Sequence, residues 1–183
     1  MGNVCVFFGT GFEEIEALTV VDLLRRVDVD TEMVSVMEDK TVTGSHGIPV
    51  VTDRLISEVD FDKTDVIVLP GGMPGTRKLE ECEALMRQVD AFAADGRLVC
   101  AICAAPSILG HRGHLKGKSA IAYPGFEKEL EGAKIVTEPA VTDGTIITGR
   151  GMGCAVDFGL AIVEYLKGRK VRDELAEKIV FNQ

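Results

Sequence analysis

The sequence predicts an α/β fold, a flavodoxin-like three-layer sandwich in which a mainly parallel sheet is covered by helices on both faces. Three observations carry this reading. Short β-favouring runs are almost continuously apolar, segments with apolar residues at three- and four-residue spacing alternate with them, and Gly or Pro stands where one gives way to the other.

Taken in order, "NVCVFF" (3–8) reads as a strand and "EEIEALTVVDLLRRV" as the amphipathic helix that follows it. "TEMVSV" (31–36) is a second strand, "GIPVVTD" (47–53) part of a hairpin or edge, and "TDVIVLPGG" (64–72) a buried strand stopped by Pro-Gly-Gly. Residues 77–96 read as one helix with Leu79, Leu85, Met86, Val89 and Phe92 on a stripe and Gly96 as its C-cap. Another strand then leads into a helix across "LVCAICAAPSIL". Short strands are expected at 119–122, 134–136 and 145–148, an apolar-striped helix at 154–168 ended by Gly168, and a last helix at 170–180. No repeat or linker interrupts residues 1–183, so one domain is expected. In such sheets ligands gather beyond the carboxyl ends of the strands, which puts "GTGFEE", "PGGMPG" and the turn at Cys103 along one rim.

Bulk properties bound the function. At 183 residues and 46% hydrophobic, the chain can bury one sizeable core. A formal net charge of −9 with no basic cluster argues against nucleic acid. The start "MGNVCVFFG" has no cationic segment, its apolar run is too short for a signal peptide or membrane span, and Val6 occupies the place where a myristoylation pattern needs Ser or Thr. A cytoplasmic protein is therefore expected. The 5 cysteines are scattered and odd in number, as expected of reduced thiols.

Cys100 and Cys103 have C-x-x-C spacing. If Leu98 to Ile102 is a strand, a rise of about 3.3 Å per residue separates them by roughly 9 to 10 Å, less what the turn takes back, whereas a disulfide needs Cα atoms within about 7 Å. No second C-x-x-C or H-x-x-x-H completes a metal site. Cys103 is followed by small Ala104 and Ala105 and then Pro106, the residue types that let a sharp strand-to-helix turn, a nucleophile elbow, project its side chain. At a helix start the dipole and free N–H groups favour a thiolate and can stabilise an oxyanion. A small buried hydrophobe is the other reading. It is the preferred one for Cys100, Cys5 and Cys82, and for Cys103 the motif alone leaves both open.

"VLPGGMPG", "CAICAAPSIL", the acidic "GFEEIEA" and "ITGRGMGCAVDFGLAIVEYLKG" together resemble the ThiJ/PfpI superfamily, which is similar to class I glutamine amidotransferases, and within it the protein deglycase (DJ-one) branch. The likeness runs nearly the full length. It implies that Cys103 is the reactive cysteine, that Glu16 is its acid partner, and that the turn at Gly71 with the amides of Gly72 and Ala104 forms an oxyanion pocket. Periodicity agrees for Glu16, which heads a face continued by Thr19, Val20 and Leu23; Glu13 and Glu14 read as solvated charge at a helix start. A desolvated carboxyl there would have a raised pKa, and its hydrogen bond to sulfur would lower that of the cysteine. Many relatives have histidine where Tyr123 stands; a phenol donates a hydrogen bond but is a poor base. His111 and His114 read as surface residues. Arg26 and His46 fall at positions matching the family's dimer contact, so a homodimer is implied. Ala104, and the lack of a downstream His-Glu pair, disfavour proteolysis and glutamine hydrolysis.

The resemblance implies an enzyme without cofactor or metal that acts on reactive carbonyls, with a small aldehyde such as methylglyoxal or a glycated protein as substrate. Cys103 would be the nucleophile and Glu16 the proton relay. The alternative is an oxidative-stress sensor or chaperone working through oxidation of Cys103. For thiazole monophosphate biosynthesis, a label some relatives carry, the sequence offers no feature of its own. Neither nucleic acid nor membrane is an expected partner.

Overall fold

The computed structural model describes residues 3–181. The chain opens with strand β1 (Asn3–Phe8), helix α1 (Glu14–Arg26) and strand β2 (Asp30–Ser35). Short strands β3 (Thr41–Thr43) and β4 (Pro49–Val51) pair as an antiparallel hairpin, and β5 (Arg54–Leu55) adds to the edge of β2. Next come β6 (Val66–Leu69), α2 (Gly75–Glu81), α3 (Glu83–Asp95), β7 (Leu98–Ile102) and α4 (Pro106–His111). Strands β8 (Ser119–Ala120) and β9 (Lys134–Ile135) form a separate two-stranded parallel ladder. The chain closes with β10 (Ala140–Asp143), β11 (Ile146–Gly149), α5 (Ala155–Lys167) and α6 (Arg169–Lys178).

The main sheet has 7 strands in the order β10-β11-β7-β6-β1-β2-β5, parallel except for the β10–β11 pair. Its buried strands alternate their side chains between two cores, as the two-residue period of a strand requires. Val4, Val6 and Phe8 of β1 face a cluster with α1 and α5, while Cys5 and Phe7 face one with α3 and α4. This is the expected sandwich. Strand order reverses between β1 and β6, so a crevice opens at their carboxyl ends, where α1 begins and the glycine turn after β6 lies.

Besides the short strands β3 and β5, which the sequence reading does not include, two differences bear on the fold. The helix expected over 77–96 starts at Gly75 and is broken at Cys82, whose extended backbone (ψ 93) ends α2 and caps α3. Leu79, Leu85, Met86, Val89 and Phe92 all still reach one core, and their spacing reads the same with or without a break. Gly96 does cap α3 in the left-handed conformation, with φ 69. Strand β10 was not expected: it is short, half-exposed and antiparallel, so it lacks the continuous apolar run that marks its neighbours. Among the described residues no helix is long and apolar enough to cross a membrane.

Candidate functional site

The turn after β7 puts Cys103 in the left-handed region at φ 65, a costly conformation for a residue with a side chain. Its backbone is gripped from both sides. The Cys103 N–H donates to the Gly149 carbonyl at the end of β11 (3.0 Å), and the Cys103 carbonyl accepts the Tyr123 N–H (2.8 Å). The thiol is thereby turned out of the strand, half-buried, with the amide N–H groups of Ala104 and Gly72 directed at its sulfur. Cys100, two residues before the end of β7, is fully buried in the core. Both are free thiols, as strand geometry predicts.

Glu16 comes from the first turn of α1. That turn is held by Glu13, whose carboxylate accepts the Glu16 N–H at 2.8 Å as an N-cap. Glu16 is fully buried, and its Oε2 accepts the Gly71 N–H at 2.9 Å. Its Oε1 has no hydrogen-bond partner among the described residues, and the Cys103 thiol is the group close enough to influence the carboxyl's ionisation. The glycine turn is there because nothing larger fits. A Cβ on Gly71 would stand 2.6 Å from both Cys103 Cβ and Glu16 Oε2. Gly72, at φ 89, would place one 2.3 Å from the Glu13 nitrogen. The Glu13 N–H in turn donates to the Gly71 carbonyl at 2.9 Å, locking the turn to the start of α1.

Ionisation at the site follows from this packing. Burial raises the Glu16 pKa to about 7, against the opposing hydrogen bonds from Cys103 and Gly71. Burial, and after it the Glu16 charge, pushes the Cys103 thiol up to about 12, while the Ala104 and Gly72 amides pull the other way. The lowered cysteine pKa expected from the helix start is therefore corrected. The amides act in the expected direction, but desolvation and the neighbouring carboxylate outweigh them. Once the carboxyl has ionised, thiol and carboxyl hold one proton between them and carry a single negative charge beside two amide donors.

The other expected residues lie around this pair. Tyr123 contributes its backbone N–H to the elbow, while its ring is 50% exposed beside Gly151. Glu14 is not solvated as expected but buried. Its carboxylate accepts the His46 backbone N–H (2.7 Å), pairs with His46 Nδ1 (2.9 Å) and accepts the Ser45 hydroxyl (3.2 Å). Burial raises its pKa, but these bonds prevail and hold it at about 2. Among the described residues, Glu13, Glu14 and His46 are the group close enough to hold a metal, with ligand atoms within 4.8 Å of one another. Arg26, at the end of α1, pairs with Asp22 at 2.6 Å and borders an apolar groove of about 680 Å³ lined by Ile15, Leu18, Ile48 and Phe181. His111 is the last residue of α4, and His114, just beyond it, pairs with Asp90 at 2.7 Å. Sequence reasoning missed two parts of the site, the Gly149 carbonyl and the Glu13 cap. The first is a backbone group on a distant strand and leaves no mark in a motif. The second is signalled only by an acid three residues before Glu16.

Comparison with known proteins shows the family to which this fold belongs. The model of the DJ-1/PfpI family matches residues 2–165. Protein DJ-1 homolog A of Arabidopsis thaliana is 39% identical over 95% of the chain, which spans only 45% of that protein's length. A Caenorhabditis elegans protein named glutathione-independent glyoxalase DJR-1.2 is 30% identical, with 91% of this chain and 89% of that one covered. The solved structure of oxidized Toxoplasma gondii DJ-1 superposes with a TM-score of 0.95 at 32% identity, covering 100% of both chains. With the family model matching most of its residues and solved relatives sharing its whole fold, the chain belongs to the DJ-1/PfpI family.

Proposed function

We propose that the protein converts small reactive carbonyls such as methylglyoxal to hydroxy acids, with Cys103 as nucleophile and Glu16 as proton relay. The observation that carries this is a half-buried thiol set against a buried carboxyl, with two backbone amides directed at the sulfur. The Cys103 thiol gives its proton to Glu16 and adds as thiolate to the aldehyde carbon; the oxyanion, met by the Gly72 and Ala104 N–H groups, takes that proton back and a hemithioacetal results. Glu16, again a carboxylate, takes the proton from that carbon and returns it to the neighbouring one while the hydroxyl proton passes to the adjacent oxygen, which leaves a thioester of the hydroxy acid. Water hydrolyses the thioester, releasing the acid and restoring the thiol, so no net oxidant or reductant is needed. A relative of similar length that is named a glyoxalase supports the reading. Release of early glycation adducts from proteins would use the same residues. The test is lactate formation from methylglyoxal; turnover by the wild type no greater than by Cys103→Ser would overturn the proposal.

A second reading, oxidation sensing, is favoured by the same pair, since a protonated Glu16 and two amides suit the oxygens of a cysteine sulfinate. Intact mass after mild peroxide decides it, and the reading requires Cys103 to oxidise ahead of the other four cysteines. The family resemblance and the apolar groove beside Arg26 and His46 support a homodimer formed across that face. Sedimentation would give a species of one chain mass if this is wrong. A cytoplasmic location remains part of the same proposal.

A further inference from the structure

After α4 the chain returns to the thiol through a loop, residues 121–130, which carries Tyr123 and a single 3-10 turn at Glu127–Glu129. Three anchors hold this loop. At its start the Ile121 N–H donates to Thr148 Oγ1 of β11 at 3.0 Å and the Tyr123 N–H donates to the Cys103 carbonyl at 2.8 Å, together making one anchor. At its end the loop lies directly on Gly110 of α4, where a Cβ would stand 2.0 Å from the Glu129 carbonyl oxygen, and Leu130 is buried in the core. The third anchor is His111. Its Nδ1 meets Glu80 of α2 at 2.6 Å and its Nε2 meets Glu129 of the loop at 2.8 Å.

An imidazole donates from both nitrogens only when protonated; the neutral ring keeps one N–H and turns a lone pair toward the other carboxylate. We propose that the imidazolium of His111 is a positioning residue for Cys103. By bridging α2 to the loop it holds the loop down, and through the Tyr123 N–H it holds the carbonyl of the strained elbow. His111, Glu80 and Glu129 line one wall of an open pocket of about 350 Å³ between α2, α4 and the loop, bordered also by Met73, Arg77, Ser107 and Phe126.

The charges around His111 support this assignment. From α2 it faces Glu80, with Arg77 on the same cavity wall; from the loop it faces Glu129, with Glu127 and Lys128 in the same turn. From α3 the nearby Asp90 is taken up by Arg112 and His114. The hydrogen bonds to Glu80 and Glu129 raise the His111 pKa above 6.5. The sign follows: a raised folded pKa means the clamp is fully present below the ordinary histidine value and is lost as pH rises through the folded value. The loop is thus held by all its anchors on the acid side and lacks the full His111 bridge on the alkaline side.

The experiment is amide hydrogen exchange of residues 121–130, corrected for intrinsic rates, between about pH 5 and pH 9. Wild-type protection should fall about fivefold across one titration. His111→Arg keeps a permanent two-armed cation, so its protection should stay high and flat, whereas His111→Ala should be low and flat. Glu129→Gln should move the wild-type step to lower pH. Wild-type protection that does not change with pH, an alanine variant as protected as the wild type at acid pH, or a step unmoved in Glu129→Gln would overturn the proposal. A side chain that merely packs would give neither the step nor its removal by arginine. The inference bears on the thiol site proposed above, but its readout is loop protection and not turnover, so either can fail alone.

Discussion

The Gly71 N–H donates to Glu16 Oε2 at 2.9 Å, joining the glycine turn after β6 to the first turn of α1. This one bond orients a carboxyl that burial would otherwise leave with no donor but a thiol. It also explains why the acid and the cysteine meet at all, since neither lies on the same element or on neighbouring segments of sequence.

Stability should depend on pH through Glu16. Its carboxyl rises from 4.5 to about 7 on folding. A group with a raised folded pKa contributes stability fully below the unfolded value and loses it as pH climbs through the folded one. The wild type should lose on the order of 3 kcal/mol between those limits. Glu16→Gln keeps an acceptor for Gly71 but cannot ionise, so its denaturation midpoint should be nearly flat over the same range while thiol-dependent turnover is lost. Paired denaturant melts at the two ends of the range check this.

Gly71→Ala tests space without backbone strain. The new methyl would press on Cys103 Cβ and Glu16 Oε2. Overpacking of this kind costs about 1 to 3 kcal/mol, and displacement of the pair should lower methylglyoxal turnover by about a hundredfold. A melt and a steady-state assay on the same preparation separate the two effects.

At Cys103 itself, Cys103→Gly and Cys103→Ala should both be inactive, but not equally stable. Only glycine adopts φ 65 without penalty, so the glycine variant should be the more stable by about 1 kcal/mol. Equal melting points would mean that the elbow relaxes when the thiol is gone.

Glu14→Gln should destabilise the β3–β4 connection by about 1 to 2 kcal/mol near neutral pH, because a charge-assisted pair with His46 becomes a neutral one. The Glu14 pKa is depressed to about 2, so its contribution is present above the unfolded value of 4.5 and fades as pH falls through the folded one. Wild type and variant should therefore converge in acid, which a pH series of chemical melts would reveal.

The buried strands, the elbow and the two caps at Gly96 and Gly168 were legible because each leaves a local signature: an apolar run, small residues after a cysteine, a glycine at a helix end. Glu16 was placed by resemblance, with periodicity agreeing. What stayed hidden is what depends on distant partners. Glu14 and Glu16 are both acids in the same helical turn, and only the arrival of the 44–48 loop decides that Glu14 is buried too. The break at Cys82 preserves the apolar stripe on either side, so the pattern carries no trace of it. The direction of the thiol pKa is hidden from the sequence for the same reason. Helix-start amides can be read from sequence, whereas the depth of burial that outweighs them is a property of the whole rim.

The bond from the Cys103 N–H to the Gly149 carbonyl has a consequence for the protein during its synthesis. A chain emerging from the ribosome presents the cysteine well before β11 exists to receive it, and domains acquire their native contacts only as the required segments appear. Until then the left-handed turn has no acceptor on that side, and the half-buried setting of the thiol is complete only when the sheet is. The accessibility of Cys103 to a thiol reagent is therefore a marker of whether a nascent or refolding molecule has finished.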